Sequence, residues 1–169
     1  MDNIENDNQI NRRMFLKELG LMGSSVLALS SPWLSAFAEV NQTTKERCRV
    51  GLIGPGSRGI FLLSFLLQNP KVEVVAFADI YQPSLDEALK MVPQAKTYKD
   101  YHRLLEDKSI DAVVVATPLN THFQIVMDAF EAGKNVFCEK TIGYTMAEGR
   151  DMYKKHLATG RIFFTGQQR

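Results

Sequence analysis

Three glycines with the spacing G-x-G-x-x-G follow an apolar run over residues 48–53 and precede an apolar helical stretch. The motif consists of Gly54, Pro55, Gly56, Ser57, Arg58 and Gly59. Between a strand and a helix, the first glycine permits a tight turn, the second lets the backbone approach a phosphate, and the third lets helix and strand pack closely. Amides at the helix N-terminus attract that phosphate. The motif predicts a pyrophosphate site, and the alternative is a glycine turn without a ligand.

An acid, Asp79, ends the next apolar run, residues 72–78, and lies 25 positions after Gly54. An acid about 20 residues after such a motif hydrogen-bonds the ribose hydroxyls of a dinucleotide and repels a 2′-phosphate. The pattern therefore favours NAD over NADP as the cofactor. Arg58, inside the glycine motif, would weaken this preference by meeting that phosphate. A solvated acid at the end of a strand is the alternative interpretation.

A second polar segment, Thr117 to His122, follows a β-rich run over residues 111–116. It leaves the carboxyl end of a predicted strand, where open α/β sheets bind their ligands. Pro118 restricts the turn, and Asn120 is placed to face a cofactor. His122 falls in the first turn of the next helix, where local packing is at least as good an interpretation as a role in the site.

Glu139 and Lys140 close a further apolar run, residues 135–138, at the same edge of the predicted sheet. An ion pair between them would hold the lysine, and a desolvated lysine amine is suited to proton transfer. A solvated Glu-Lys pair is the alternative. The position at the ligand edge favours the functional interpretation.

The elements that position these residues are short β-rich runs that alternate with helical stretches. Strands are predicted at residues 48–53, 72–78, 111–116, 135–138 and 161–165, with a weaker one at 95–97. Helices are predicted at about residues 58–68, 84–91, 101–107, 121–133 and 145–160. Alternation through short loops predicts a parallel sheet with helices on both faces, and right-handed crossovers make this α/β fold a doubly wound Rossmann domain.

Local signals predict where three of the helices start. Ser84 with Glu87, and Thr145 with Glu148, have the spacing of a capping box, in which each side chain bonds the other residue's backbone amide. Thr121 is predicted to cap the helix that follows the third strand, because the apolar positions after it recur every three to four residues.

The first 38 residues have the pattern of an export signal. Arg12 and Arg13 precede a weakly apolar run over residues 19–37, and the segment closes with the small residues Ala36 and Ala38 around a phenylalanine. Paired arginines are typical of twin-arginine export, and the small-x-small ending is typical of a signal-peptidase site. A membrane anchor is the alternative, but glycines, serines and a proline make the run a poor span. We expect a signal peptide at residues 1–38, a linker at 39–46 and a domain at 47–169. The protein is expected to be periplasmic or otherwise exported, with no stable membrane span after cleavage.

The bulk composition limits the functions that remain. The chain has 169 residues, of which 45% are hydrophobic, and its formal charge is +1, so we expect one domain with a core and no nucleic-acid partner. We expect no metal site. Cys48 and Cys138 lack the spacing of metal or redox motifs. They should lie at opposite ends of parallel strands, too far apart for a disulfide.

Taken in order, the glycine motif, Asp79, residues 116–122 and the Glu139-Lys140 pair resemble the Gfo/Idh/MocA oxidoreductases over about residues 47–169. Thr141 is a departure, because that family often has proline there. The resemblance implies that Lys140 lies beside the reacting carbon and hydroxyl and helps proton transfer during hydride exchange. It also implies a set of cofactor-binding residues. These are Gly54, Gly56, Ser57, Arg58, Gly59, Asp79, Thr117, Pro118, Asn120, His122 and Glu139.

The family resembled here normally continues into a second α/β domain, which supplies the substrate pocket, the subunit interface and usually a catalytic histidine. His102 and His156 lie on predicted helices and are expected at the surface, so neither replaces that histidine. The chain is therefore expected to lack the substrate domain and to be inactive alone. Oligomers are expected only for a full-length form.

Three functions stay open for the chain. The leading one is the NAD-binding part of an exported oxidoreductase that acts on a sugar, a polyol or a derivative. The second is part of a glycoside hydrolase that uses NAD transiently, by oxidation, elimination, addition of water and re-reduction. The third is a nucleotide-binding module without catalysis. Glu139 and Lys140 resemble the dehydrogenase branch more closely, and export of a folded protein with bound cofactor suits either enzyme.

Overall fold

The computed structural model describes residues 47–166 of the chain. The predicted export signal and linker, residues 1–46, lie outside the described residues, as do residues 167–169. The described strands are β1 (Cys48–Ile53), β2 (Val72–Ala78), β3 (Lys96–Tyr98), β4 (Ala112–Val115), β5 (Asn135–Cys138) and β6 (Phe163–Thr165). The described helices are α1 (Ser57–Leu66), α2 (Gln82–Met91), α3 (Tyr101–Glu106), α4 (Leu119–Glu131) and α5 (Met146–Thr159).

The six described strands form one parallel sheet in the order β3-β2-β1-β4-β5-β6. The chain builds outward from β1 to β3, returns to the middle, and then builds outward from β4 to β6. The direction therefore reverses between β1 and β4, which is the position where doubly wound sheets bind dinucleotides. The arrangement confirms the predicted Rossmann fold.

Helices cover both faces of the sheet, and each face has its own apolar core. On one face, α1 and α2 pack on the sheet through Leu63, Leu85 and Ala88. On the other face, α3, α4 and α5 pack through side chains that include Leu104, Phe130 and Met152. Because both faces of β1, β2 and β4 are covered, these strands read as almost continuous apolar runs.

Of the three predicted helix starts, one is confirmed and two are wrong. Thr145 Oγ1 accepts a hydrogen bond from the Glu148 amide at 3.2 Å, and a Glu148 carboxylate oxygen accepts one from the Thr145 amide, so this capping box is present. Ser84 is not a cap, because α2 begins at Gln82 with Tyr81 as its N-cap. Proline near the start of α2 fits this earlier beginning, since its missing amide has no helical partner to lose there.

The predicted cap at Thr121 is also wrong. Helix α4 begins at Leu119, and Pro118 occupies the N-cap position. The Thr121 hydroxyl therefore lies within the first turn, 2.7 Å from the carbonyl oxygen of Pro118. The predicted end of this helix agrees with the structure more closely. Gly133 follows the helix with φ +73°, a conformation that glycine adopts at little cost.

The two cysteines lie at opposite ends of the sheet, as predicted. Cys48 begins β1, whereas Cys138 ends β5 at the level of Val115, which pairs with the last residue of β1. Burial, with the nearby charge of Glu139, raises the pKa of Cys138 to about 12. Within residues 47–166, no helix is long and apolar enough to cross a membrane.

Candidate functional site

The glycine loop joins β1 to α1 at the centre of the sheet. Gly54 has φ +83°, and its amide donates to the carbonyl oxygen of Ala78 at 2.9 Å. Gly59 lies against this turn, because a Cβ atom there would be 2.3 Å from the carbonyl oxygen of Gly54. A Cβ atom at Gly56 would meet nothing within 4 Å. The loop therefore has the tight turn, the open backbone and the close packing that the motif predicts.

The start of α1 has no side-chain cap. Gly56 is the N-cap residue of the helix. First-turn amides without a side-chain partner, together with the helix dipole, form a site for a phosphate group. The backbone between Gly56 and Gly59 thus fits the pyrophosphate of a dinucleotide.

A cleft of about 530 Å³ opens beside the glycine loop, where the strand order reverses between β1 and β4. This volume falls in the range of about 300–1,000 Å³ that is typical of small-molecule sites. The cleft brings together six of the predicted site residues. They are Gly54, Gly56, Asp79, Thr117, Pro118 and Asn120.

Asp79 lies at the mouth of the cleft, directly after β2. Its amide donates to the carbonyl oxygen of Tyr98 at 3.1 Å, which ties it to the end of β3. One carboxylate oxygen, Oδ1, accepts a hydrogen bond from the Tyr81 amide at 2.8 Å. These bonds hold the carboxylate at the cleft, as binding of a ribose requires.

Several residues of the cleft wall were not predicted from the sequence. They are Ile80, Lys99, Tyr101, Gln124 and Ile125. The sequence contained a signal for Ile80, which is an apolar residue directly after the acid. In the structure this residue is 89% exposed. Lys99 and Tyr101 follow β3, the strand with the weakest pattern, and its pairing with β2 decides where they lie.

Tyr101 contributes a neutral hydrogen-bonding group beside the cleft. Its hydroxyl donates to a carboxylate oxygen of Asp128 at 2.6 Å. Burial, and then this hydrogen bond, raise the pKa of Tyr101 well above its ordinary value. The phenol therefore stays protonated, and it holds the start of α3 against α4.

Glu139 forms an ion pair with Arg58 and not with Lys140, so the predicted pairing of Glu139 with Lys140 is wrong. One carboxylate oxygen lies 2.8 Å from Nε and 2.6 Å from Nη2 of Arg58, and the guanidinium also lies over the ring of Phe61. The other oxygen accepts the backbone amide of Lys140 at 3.1 Å. Glu139 is 4% exposed, whereas Lys140 is exposed, so the predicted desolvation of the lysine is not present.

Arg58 lies on the opposite side of the glycine loop from Asp79. Asp79 follows β2, and the partner of Arg58 follows β5, with β1 and β4 between them. Three strand spacings of about 4.8 Å place these two strand ends about 14 Å apart. Arg58 is therefore not placed to neutralise a phosphate at the Asp79 end of the cleft.

His122 is not among the residues that line the cleft, and its contacts match local packing, the interpretation that the sequence left open beside a role in the site. Its side chain is 1% exposed, and its ring nitrogens lie 2.9 Å from the carbonyl oxygen of Thr117 and 3.0 Å from that of Thr141. The imidazole thus joins the loop after β4 to the loop after β5. The Lys140–Thr141 peptide bond in the second loop is cis.

The other two histidines lie away from this cleft. His102 is exposed, as predicted, and pairs with Asp100, whereas His156 is only partly exposed, near the end of α5. In the described part of the chain, no group of three histidine, cysteine or acidic side chains is arranged to hold a metal ion.

Comparison with known proteins extends these observations. A glycosyl hydrolase family 109 protein of Stenotrophomonas maltophilia is 37% identical over 160 residues, which cover 88% of this chain and 34% of that protein. Myo-inositol 2-dehydrogenase of Thermotoga maritima is 34% identical over 121 residues, which cover 72% of this chain and 36% of the enzyme. The crystal structure of GenD2 from gentamicin A biosynthesis, in complex with NAD, matches with a TM-score of 0.69 and 26% identity over 72% of this chain and 34% of GenD2. The chain spans about a third of the length of these relatives.

Residues 48–167 match the Gfo/Idh/MocA family, which is described as an oxidoreductase family with an NAD-binding Rossmann fold. This range includes the glycine loop, the acid after β2 and both polar loops at the cleft. The chain therefore belongs to the Gfo/Idh/MocA oxidoreductase family and contains its NAD-binding Rossmann domain.

Proposed function

We propose that the cleft binds NAD in an extended form across the centre of the sheet. The pyrophosphate would lie at the glycine loop, the adenosine ribose at Asp79, and the nicotinamide toward Thr117 and Asn120. The observation that carries this proposal is that the open backbone at Gly56 and the carboxylate of Asp79 line one cleft. NAD would supply a hydride acceptor, and the protein would supply binding and orientation.

The charges at the ribose end favour NAD over NADP. The carboxylate of Asp79 accepts hydrogen bonds from ribose hydroxyls and repels a phosphate at the 2′ position. Arg58, the cation that the sequence suggested as a partner for that phosphate, is bound to Glu139 on the other side of the loop. Both features support NAD as the preferred cofactor.

Lys140 is the residue that we propose for proton exchange with a substrate hydroxyl. It follows β5 at the ligand edge of the sheet, and its amide is held by Glu139 at 3.1 Å. The next residue, Thr141, is joined through His122 to the loop that begins at Thr117. The lysine backbone is thereby tied to the loop we assign to the nicotinamide, as is required when a hydride leaves a carbon and a proton leaves the hydroxyl oxygen on that carbon.

The substrate class that we propose is a sugar, a polyol or a derivative, oxidised at a secondary alcohol. Support comes from relatives such as the myo-inositol 2-dehydrogenase of Thermotoga maritima. The aligned residues cover 36% of that enzyme. An oligomeric form and a substrate-binding domain belong to the same proposal.

A second candidate is participation in glycoside hydrolysis with NAD used transiently. The relative named as a glycosyl hydrolase family 109 protein aligns with 88% of this chain, so the alignment includes part of residues 1–47. In that chemistry a hydride taken from the sugar is returned after elimination of the aglycone and addition of water, and NAD is regenerated. The same NAD cleft serves either reaction.

Export by the twin-arginine route is also part of the proposal. Arg12 and Arg13 precede the weakly apolar run, and Ala36 and Ala38 mark the cleavage site. This route moves folded proteins, so NAD could be loaded before export. Expression of the chain with Arg12 and Arg13 both changed to lysine should leave it uncleaved in the cytoplasm, and unchanged export of this variant would contradict the assignment.

Calorimetric titration of the full chain with NAD tests the cofactor assignment. We expect binding that Asp79→Ala weakens by about tenfold or more, because the variant loses hydrogen bonds from a charged acceptor to the ribose. Lys140→Ala is the control, because Lys140 follows β5 and is not among the residues that line the cleft, and it should change NAD affinity less than about twofold. Failure of the wild-type chain to bind NAD, or equal effects of the two variants, would contradict the proposed arrangement.

The two reactions are separated by their products. Net formation of NADH from a polyol such as myo-inositol supports the oxidoreductase. Release of the aglycone from an aryl glycoside without net NADH supports the hydrolase. NAD binding without either product favours a nucleotide-binding module as the function of the chain by itself.

A further inference from the structure

The ribose end of the cleft contains a positive charge as well as Asp79. Lys99 directly follows β3, and the last residue of that strand, Tyr98, pairs with Ala78 at the end of β2. The Lys99 ammonium lies 3.4 Å from the carbonyl oxygen of Ile80, the residue next to Asp79. Both charged residues line the same cleft. The sheet register thus places a lysine beside the acid that selects the ribose.

This ammonium has no carboxylate partner among the described residues. Nearby lysines are paired: Lys96 lies 2.9 Å from a carboxylate oxygen of Asp107, and Lys90 forms an ion pair with Glu87. Lys99 is exposed, and its contact with a carbonyl oxygen is long. Among the described residues that line the cleft, it is the one with a positive charge. It is therefore available to an anionic group of a ligand.

We propose that Lys99 determines how strongly the cleft discriminates between NAD and NADP. The inference rests on the proposed binding of a dinucleotide with its adenosine ribose at Asp79. In NADP that ribose has a 2′-phosphate, which the carboxylate repels and a nearby ammonium attracts. Lys99 offsets part of the repulsion, so NADP binds more weakly than NAD but is not excluded. Lys99 thus performs the role for which the sequence had suggested Arg58.

Lys99 has a second role that the test must separate from this one. Lys99 lines the cleft, and the aliphatic stem of a lysine contributes to packing independently of its charge. Contact of the stem with adenosine would affect NAD and NADP equally, since both contain it. Only the charge distinguishes the two nucleotides, so the ratio of the two dissociation constants reports the proposed role.

The experiment is calorimetric titration of the full chain and its variants with NAD and with NADP. Lys99→Met retains most of the stem and removes the charge, and Lys99→Glu reverses the charge. Lys71→Met is the matched control, because Lys71 precedes β2 at the opposite end of that strand and loses the same charge. Each titration is repeated at low and high salt, where exposed charge pairs are screened to different degrees.

We expect Lys99→Met to raise the ratio of the NADP to the NAD dissociation constant by about three- to tenfold, as for an exposed or partly exposed ion pair. Lys99→Glu should raise it further, high salt should reduce both effects, and Lys71→Met should leave the ratio unchanged. An unchanged ratio in Lys99→Met, with NAD still bound, would overturn the role of Lys99 alone. A wild-type chain that binds neither nucleotide would overturn the proposed function and this inference with it.

Discussion

The two sides of the glycine loop differ in how completely the described residues build them. On the β2–β3 side, Asp79, Lys99 and Tyr101 form the wall of a cleft, and their positions follow from strand pairing. On the β5–β6 side, Lys140 is exposed, and Phe164 and Met146 are 64% and 92% exposed. Buried contacts there end at Glu139 and His122, just beneath the surface.

This difference separates binding of the cofactor from the chemistry. The residues proposed for the adenosine half of the NAD site belong to this domain, and the backbone of Asp79 is held by a hydrogen bond to Tyr98. The residue proposed for proton transfer has an anchored backbone, but its side chain meets no charged partner among the described residues. Affinity for the nucleotide should therefore be a property of this domain alone, whereas turnover should depend on what covers Lys140.

The largest effect is expected from Gly59→Ala, in the glycine loop that lies between the two sides. A Cβ atom at this position would be 2.3 Å from a backbone oxygen, so the loop must move. We expect the free energy of unfolding to fall by about 3 kcal/mol and NAD affinity to fall by about a hundredfold. Urea unfolding and calorimetry measure the two effects.

Gly56→Ala is the matched control for that substitution. A Cβ atom at Gly56 meets no protein atom within 4 Å, so the free energy of unfolding should change by less than about 0.5 kcal/mol. NAD affinity should still fall by about tenfold, because the methyl group occupies space beside the pyrophosphate. Equal stability losses in the two variants would contradict the assigned glycine roles.

An intermediate effect is expected from Arg58→Met, which acts on the β5–β6 side. It leaves the carboxylate of Glu139, 4% exposed, without its guanidinium partner. Because Arg58 is itself partly exposed, we expect a loss of about 2 kcal/mol in the free energy of unfolding, less than for a fully buried pair. NAD affinity should fall less than in Gly59→Ala.

The double variant Arg58→Met with Glu139→Gln provides the control. It replaces the carboxylate by a neutral amide, so it should recover about 1 kcal/mol relative to the sum of the single variants. Strict additivity in urea unfolding would show that the ion pair makes no net contribution. The β5–β6 side would then have no stabilising ion pair between Arg58 and Glu139.

The smallest effect is expected from Gly149→Ala, in helix α5. A Cβ atom there would lie 3.6 Å from Cγ2 of Ile142, an ordinary contact, and alanine favours a helix over glycine. The free energy of unfolding should rise by about 0.5–1 kcal/mol, with no change in NAD affinity. Gly160→Ala, where φ is +64°, should instead lower it. A gain in NAD affinity from Gly149→Ala would show that the two sides are coupled.

Local sequence signals succeeded where the physical cause was itself local. The glycine spacing predicted the turn and the helix start, because both depend on residues within one short segment. Thr145 with Glu148 predicted a capping box correctly for the same reason. The identical spacing at Ser84 and Glu87 failed, since a proline and the bonds of Asp79 with its neighbours allow α2 to begin earlier. Similar patterns therefore differ in outcome when neighbouring residues compete for the same turn.

The sequence by itself determined the alternation of strands and helices, the order of the motifs along the chain, and hence a Rossmann domain with an acid at the carboxyl end of its second strand. Tertiary structure alone decided which charges meet. Glu139 and Lys140 are adjacent in sequence, but Glu139 pairs with Arg58 from another loop, and Lys99 reaches the cleft because β3 lies beside β2. The reason is geometric: a side chain at a strand end contacts the ends of neighbouring strands, and strand order is a property of the whole sheet.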